Sequence, residues 1–342
     1  MDDDALPRRT PEEQGVASSG LLALVDALEA VDEVHSLMVV TRGAVVAEGW
    51  WDPYTPDRPH QLFSLTKTFT AIAVGLAEAE GLLSPDDLVL DHVSLEGAAP
   101  HPNLERMRLE HLLTMTTGHH EDTSDRVFEQ EDWVQAFLRL PVEHEPGTHF
   151  AYNTAATHVL AAVVQGVTGE RVIDYLGPRL LEPLGITGAT TEQSPTGVDT
   201  GGFGMSARTE DVARLGVLLL DDGRWRGRRI LPEGWVAAAS RARTPSTGEN
   251  PDWQQGYGYQ MWRGRHGSFR GDGAFGQFCV VLPEQETVVA ITAGTQDMQG
   301  VLDALWAHLL PAVAAAPLPA DDDAHRRLAE RLAALRHEPP LG

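Results

Sequence analysis

Strand-forming and helix-forming patterns are segregated along this chain: strands cluster towards both ends and helices fill the middle. Ser36-Leu37-Met38-Val39-Val40 and Ala44-Val45-Val46-Ala47 read as two strands joined at Arg42-Gly43, because short β-branched runs flank a turn dipeptide. Tyr257 to Arg263, Gly276 to Leu282 and Thr287 to Ala293 read the same way, with Pro283-Glu284-Gln285-Glu286 as a hairpin turn. Strand N–H and C=O groups must find partners, so the two ends are expected to share one sheet. Helical spacing runs over residues 19–31, from Lys67 to Glu80 (closed by Gly81), Leu109 to Thr116, Thr154 to Val167 (closed by Gly169), Ile173 to Leu184, Thr209 to Leu220 and Met298 to Leu310. Ser84-Pro85-Asp86-Asp87 reads as one more helix start. The economical fold class is α/β of the α+β type: an antiparallel sheet flanked by helices, built from both chain ends, with an inserted, mostly helical domain. The expected division is 10–72 plus 205–315 for the mixed domain and 73–204 for the helical one. Residues 316–342 read as a peripheral tail or linker.

Composition narrows the partners more than the chemistry. A formal net charge of -24 argues against nucleic acid and anionic membranes, although solubility alone also accounts for it. No apolar run reaches the length of a membrane span. Met1-Asp2-Asp3-Asp4 lacks a secretory pattern, so a cytoplasmic protein is expected. Cys279 is the sole cysteine, which leaves no internal disulfide. Within Phe278-Cys279-Val280-Val281-Leu282 it reads as inert packing. His119, His120, His144 and His149 lack His-Glu-x-x-His spacing and read as surface or loop residues, so no metal and no cofactor is expected. Gly271 to Gly276 precedes a strand and not a helix, which excludes a dinucleotide fingerprint.

One residue stands out against this background. The chain holds 26 Lys+Arg residues and only Lys67 is lysine. Guanidinium stays protonated, whereas a buried amine can lose its proton and act as a base. Lys67 follows Ser64 by three residues in Phe63-Ser64-Leu65-Thr66-Lys67. On a helix the two share a face. The pair therefore reads as a serine nucleophile with a lysine partner, against the plainer reading of an exposed helix residue. Ser64 also lies where the first expected domain hands over to the second.

Two further constellations follow. Tyr152-Asn153-Thr154 opens a helix, either as a proton-shuttling tyrosine or as a packed aromatic with Asn153 or Thr154 as its cap. Gly271-Asp272-Gly273-Ala274-Phe275-Gly276 leads into a strand, where glycines permit close backbone approach to a ligand and an ordinary turn is the alternative. Trp253-Gln254-Gln255-Gly256-Tyr257-Gly258-Tyr259 reads as packing before a strand, with lining of the pocket as the alternative.

Taken in order, these motifs resemble the serine β-lactamase and penicillin-binding-protein superfamily. The chain most resembles its class C β-lactamase-like branch of esterases, D-aminopeptidases and nylon-oligomer amidases. Ser64-x-x-Lys67, Tyr152-Asn153 about 90 residues later and the glycine-rich stretch about 120 further carry the resemblance, with support from His111 to Gly118, Pro146 to Asn153 and Gly276 to Pro283. It covers roughly residues 10–312. It implies catalytic roles for Ser64, Lys67 and Tyr152, an oxyanion hole from the backbone N–H groups of Ser64 and Ala274, and substrate contacts from Asn153 or Thr154 and from Gly271, Asp272 and Gly273. Two departures matter. The second motif is usually Tyr-x-Asn, so Asn153 is shifted by one or Thr154 fills its role. The third usually begins with Lys, His or Trp; here Asp272 would repel a substrate carboxylate unless Arg270 offsets it. His266 is a possible substitute cation, though upstream of the slot. The implied function is a serine hydrolase of a small ester or amide working through an acyl-enzyme. The alternatives are a non-catalytic ligand-binding protein of this fold or a weak β-lactamase or DD-peptidase-like enzyme. Oligomeric state is not encoded in any of these motifs.

Overall fold

The computed structural model describes residues 5–336. They divide into two compact units: 5–60, 207–221 and 266–336 form one, and 61–206 with 222–265 form the other. In the first unit, strands β1 (Val34–Thr41), β2 (Ala44–Trp50), β3 (Phe269–Gly273), β4 (Gln277–Leu282) and β5 (Thr287–Ala293) lie in the order β2-β1-β5-β4-β3. Each neighbouring pair is antiparallel. The two chain ends meet in the middle of this sheet, with Val39 opposite Val289 and Val40 opposite Val288. β1, β4 and β5 are buried along their whole length, which is why their sequences are mostly apolar and do not alternate.

Helix Thr209–Leu220 closes on this sheet at Gly216, where any Cβ would strike Val288 Cγ1. Ser36 Oγ lies 2.7 Å from Thr209 Oγ1 and 2.6 Å from Thr292 Oγ1, so buried hydroxyls satisfy one another across strand and helix. Cys279 is buried and its Sγ sits 3.5 Å from the Val212 carbonyl oxygen. Burial pushes its thiol up to about 12, which makes it the inert packing residue expected.

Several sequence expectations are corrected here. Gly271, Asp272 and Gly273 do not form a loop leading into a strand. They are the second half of β3, paired with Cys279, Phe278 and Gln277. Ser84 to Asp87 is a turn held by the Asp87 carboxylate, which accepts the Ser84 N–H at 2.7 Å; the short helix begins at Val89. The stretch from Tyr257 is extended strand only at Trp262–Arg263, because Gln260 enters the left-handed region at φ 54° and breaks the run. A boundary at residue 72 would cut through the continuous helix Thr66–Ala79, which stays whole within the second unit.

The tail is not peripheral. Helix Asp322–Ala333 has an apolar face that must be buried somewhere, and Leu328 is only 1% exposed. Arg331 pairs with Asp26 at 3.0 Å and with Glu29, both on helix Ser18–Ala30. Gly49 of β2 leaves the space that Leu332 and Leu335 occupy.

The second unit is built around helix Thr66–Ala79, whose residues are buried from Thr66 to Ala77. An element buried on all sides belongs at the centre of a core. Gly75 admits the Trp235 indole, which any Cβ there would strike. Helix Thr154–Thr168 packs alongside and ends at the left-handed Gly169. Among the described residues no helix is long and apolar enough to cross a membrane.

Because Leu328 is sealed against the first unit, Leu328→Ala is expected to cost about 2–4 kcal/mol in denaturant unfolding. An unchanged midpoint would mean that the tail is peripheral after all.

Candidate active site

Ser64 sits in a single 3₁₀ turn, Phe63–Leu65, immediately before helix Thr66–Ala79. Phe63 adopts φ 47°. A bulky residue in the left-handed region is strained, and this one directly precedes the serine. Ser64 is half-buried and faces the positive end of the helix dipole, which favours negative charge.

Lys67 lies in the first turn of that helix and is 1% exposed. Its Nζ donates to Ser64 Oγ at 2.8 Å, to the Gly202 carbonyl at 2.8 Å and to Thr154 Oγ1 at 3.2 Å. An ammonium has three hydrogens to give, and three acceptors are in place. A neutral amine in the same position keeps two hydrogens for Gly202 and Thr154 and turns its lone pair to the serine O–H. The geometry therefore serves both protonation states.

Each acceptor is fixed in turn. The Gly201-Gly202 backbone is tied down by Thr70 Oγ1, which donates to the Gly201 carbonyl at 2.7 Å. At Gly202 a Cβ would come within 2.7 Å of Thr154 Cγ2 and 2.9 Å of its carbonyl oxygen, so glycine is required for this approach. His158, one turn beyond Thr154, points Nδ1 at the Asp199 and Thr200 carbonyls, 3.2 and 3.3 Å away. Burial pushes its imidazole down from 6.5 to about 4, so it stays neutral at ordinary pH. Gln260 donates to the Leu112 and Leu113 carbonyls at 3.0 Å each and accepts from Thr157 Oγ1 at 2.7 Å. Neither the 199–202 loop nor Gln260 was apparent in the sequence; the Gly201-Gly202 pair, left outside every predicted element, was the one available signal.

Tyr152 stands just ahead of helix Thr154–Thr168. Its ring stacks on Trp262 at 5.3 Å and meets Tyr257 edge-on at 6.0 Å, and Lys67 Nζ lies 4.9 Å from its centroid. Tyr257 and Trp262 are core residues with Trp253 packed against them, which bears out the packing reading of that aromatic loop. Thr154, not Asn153, reaches Lys67. Asn153 occupies the N-cap position without capping. It is buried, accepts from Thr123 Oγ1 at 3.0 Å and donates its N–H to Met115 Sδ at 3.3 Å. Its Nδ2 has no hydrogen-bond partner among the described residues.

In the first unit, Arg270 donates Nε to Asp272 Oδ2 at 3.1 Å. Both are buried, so the acidic replacement in the third motif carries its own counter-charge. Ala274 is exposed on the turn between β3 and β4, and Gln277 Nε2 holds its carbonyl at 2.9 Å. His266 packs on Trp306 at 5.2 Å.

The four histidines lie in loops, as expected, with two features that the sequence did not show. His119 is buried edge-on to Phe137. His120, His144 and His149 converge, with one ring nitrogen from each lying within 4.8 Å of the others. Spacing could not reveal this, because two separate segments supply the rings.

A half-exposed serine backed by a buried lysine, in a mixed α/β chain with this antiparallel sheet, is the arrangement of serine hydrolases of the β-lactamase class. Residues 29–314 match the family described as beta-lactamase, and the chain belongs to that family. It is 27% identical over 307 residues to the 6-aminohexanoate-dimer hydrolase of Paenarthrobacter ureafaciens, covering 82% of this chain and 78% of that protein. Its fold is similar to the octameric penicillin-binding protein homologue from Pyrococcus abyssi (TM-score 0.68, 20% identity, 88% and 78% covered). It is also similar to EstCE1, a hydrolase with promiscuous acyltransferase activity (TM-score 0.67, 17% identity, 86% and 99% covered).

His158 gives the stability a pH dependence. The folded-state value lies below the unfolded one, so its contribution is complete above pH 6.5 and is lost as pH falls towards 4. His158→Gln is expected to flatten the parent's decline in melting temperature across that window. Identical slopes for parent and variant would contradict the assignment.

Proposed function

We propose that the protein hydrolyses a small ester or linear amide through an acyl-enzyme on Ser64. The observation that carries this reading is the 2.8 Å contact between Ser64 Oγ and the buried Lys67 Nζ. Ser64 Oγ attacks the acyl carbon as its proton passes towards Lys67, directly or by way of Tyr152. The C–O or C–N bond to the leaving group breaks and that group takes up the proton. Water then attacks the acyl-enzyme by the reverse path, releasing the acid and restoring Ser64. Following the family resemblance, the backbone N–H group of Ser64 is assigned to the oxyanion. Asn153 is assigned to the substrate on the family resemblance alone, with Thr154 keeping Lys67 in place. In the first unit the Asp272 carboxylate takes up the Arg270 guanidinium at 3.1 Å, and the family resemblance gives Gly271, Asp272 and Gly273 to the substrate. That argues for neutral esters or amides over β-lactams. The 6-aminohexanoate dimer in the name of the Paenarthrobacter relative is an amide, which keeps amides beside esters among the substrates proposed. A lone, inert cysteine fits a reducing compartment, and we assign the protein to the cytoplasm.

Hydrolysis of a p-nitrophenyl ester, compared with Ser64→Ala, tests the reading; equal rates would overturn it. Lys67→Arg keeps charge but removes the base, and turnover is expected to fall roughly 10²–10⁴-fold with folding retained. Gly202→Ala pushes against Thr154 and displaces an acceptor of Lys67, so kcat is expected to fall on the order of 10- to 100-fold. Parent-like kcat in Gly202→Ala would show that the 199–202 loop does not position the lysine.

A further inference from the structure

We propose that His120, His144 and His149 form a binding site for a divalent transition-metal ion of the zinc type. One ring nitrogen from each lies within 4.8 Å of the others, and His120 Nδ1 and His144 Nε2 are 3.2 Å apart. Tetrahedral zinc with Zn–N bonds of about 2.0–2.1 Å sets its ligand nitrogens roughly 3.4 Å apart, so this pair is already at ligand separation. The widest gap in the trio exceeds that by at most about 1.4 Å, within reach of small side-chain rotations. Imidazole is a preferred ligand for zinc, copper and nickel.

The scaffold beneath the rings is built, not incidental. The segments that carry them run side by side: His144 N–H donates to the Gly118 carbonyl at 2.8 Å, Gly147 N–H to Thr116 at 2.8 Å and Ala151 N–H to Met115 at 2.9 Å. Asn103 Nδ2 donates to the Val142 and His144 carbonyls at 2.8 and 2.9 Å. Gly118, at φ 92°, is the only residue type that fits, because a Cβ there would strike the His144 carbonyl. His149 Nε2 meets the His120 carbonyl at 3.1 Å, the kind of contact that fixes the ring orientation of a metal ligand. The Glu143 carboxylate accepts the His120 N–H at 3.2 Å and adds negative charge nearby. His120 is exposed and the other two half-buried, so an ion has access and keeps a coordination position for water. The site would cross-link residues 118–120 to the segment that runs on from His149 to Tyr152. Metal would thereby stiffen the approach to the tyrosine, without touching Ser64.

The test uses the tag-free, chelator-treated full chain, titrated with Zn²⁺ by calorimetry and with Co²⁺ by visible absorption. The expected result is one equivalent bound at micromolar or tighter affinity, cobalt bands of low-symmetry nitrogen coordination, and a melting temperature that rises with Zn²⁺. His144→Ala/His149→Ala is expected to lose affinity by on the order of 100-fold or more, while its circular dichroism and metal-free melting temperature match the parent. Ser64→Ala is expected to bind metal as the parent does, which separates this site from the hydrolytic one. Absence of stoichiometric binding, or binding that survives in the folded double variant, would overturn the proposal.

Discussion

A buried amine needs partners for its hydrogens, and the second unit is arranged so that Lys67 has them. Ser64, Thr154 and Gly202 come from three separate stretches of chain, and each meets the same nitrogen. Satisfying a buried cation is costly unless every hydrogen finds an acceptor. The requirement therefore fixes the spacing between helix Thr66–Ala79, helix Thr154–Thr168 and the 199–202 loop. The small residues follow from it: Gly202 because Thr154 is close, Gly201 because Ala161 and the Thr157 carbonyl are close. Thr70, His158 and Gln260 then pin the elements that carry the acceptors.

The proposed role also distinguishes the lone lysine from the arginine used everywhere else in the chain. A guanidinium is planar, always protonated and longer. It could donate to Gly202 and Thr154 but could never accept a proton from Ser64. The serine remains half-exposed while its lysine partner is buried. Phe63 at φ 47° supplies the sharp change of direction that presents Ser64 at the head of the helix.

Much of this was legible in the sequence because it depends on local pattern. The hairpin at Arg42-Gly43, the helices closed by Gly81 and Gly169, the antiparallel sheet shared by both chain ends and the Ser64–Lys67 pairing all follow from short-range signals. What was hidden depends on distant residues. Gln260 breaks an apparently strand-like run because its amide is taken up by Leu112 and Leu113, nearly 150 residues away. The choice between Asn153 and Thr154 turned on which one faces Lys67, and the tail's place turned on Leu328 finding a surface made by the first fifty residues. The histidine trio belongs to the same class, since its ligand spacing exists only after residues 118–120 and 142–149 have paired.

The central claim is that Lys67 activates Ser64. Fluorophosphonate labelling followed by peptide mapping addresses it most directly, run on the parent and on Lys67→Arg with folding checked by circular dichroism. The account predicts rapid stoichiometric phosphonylation of Ser64 in the parent and a rate at least about 100-fold slower in the variant. Labelling at another residue, or a folded Lys67→Arg protein labelled as fast as the parent, would contradict it.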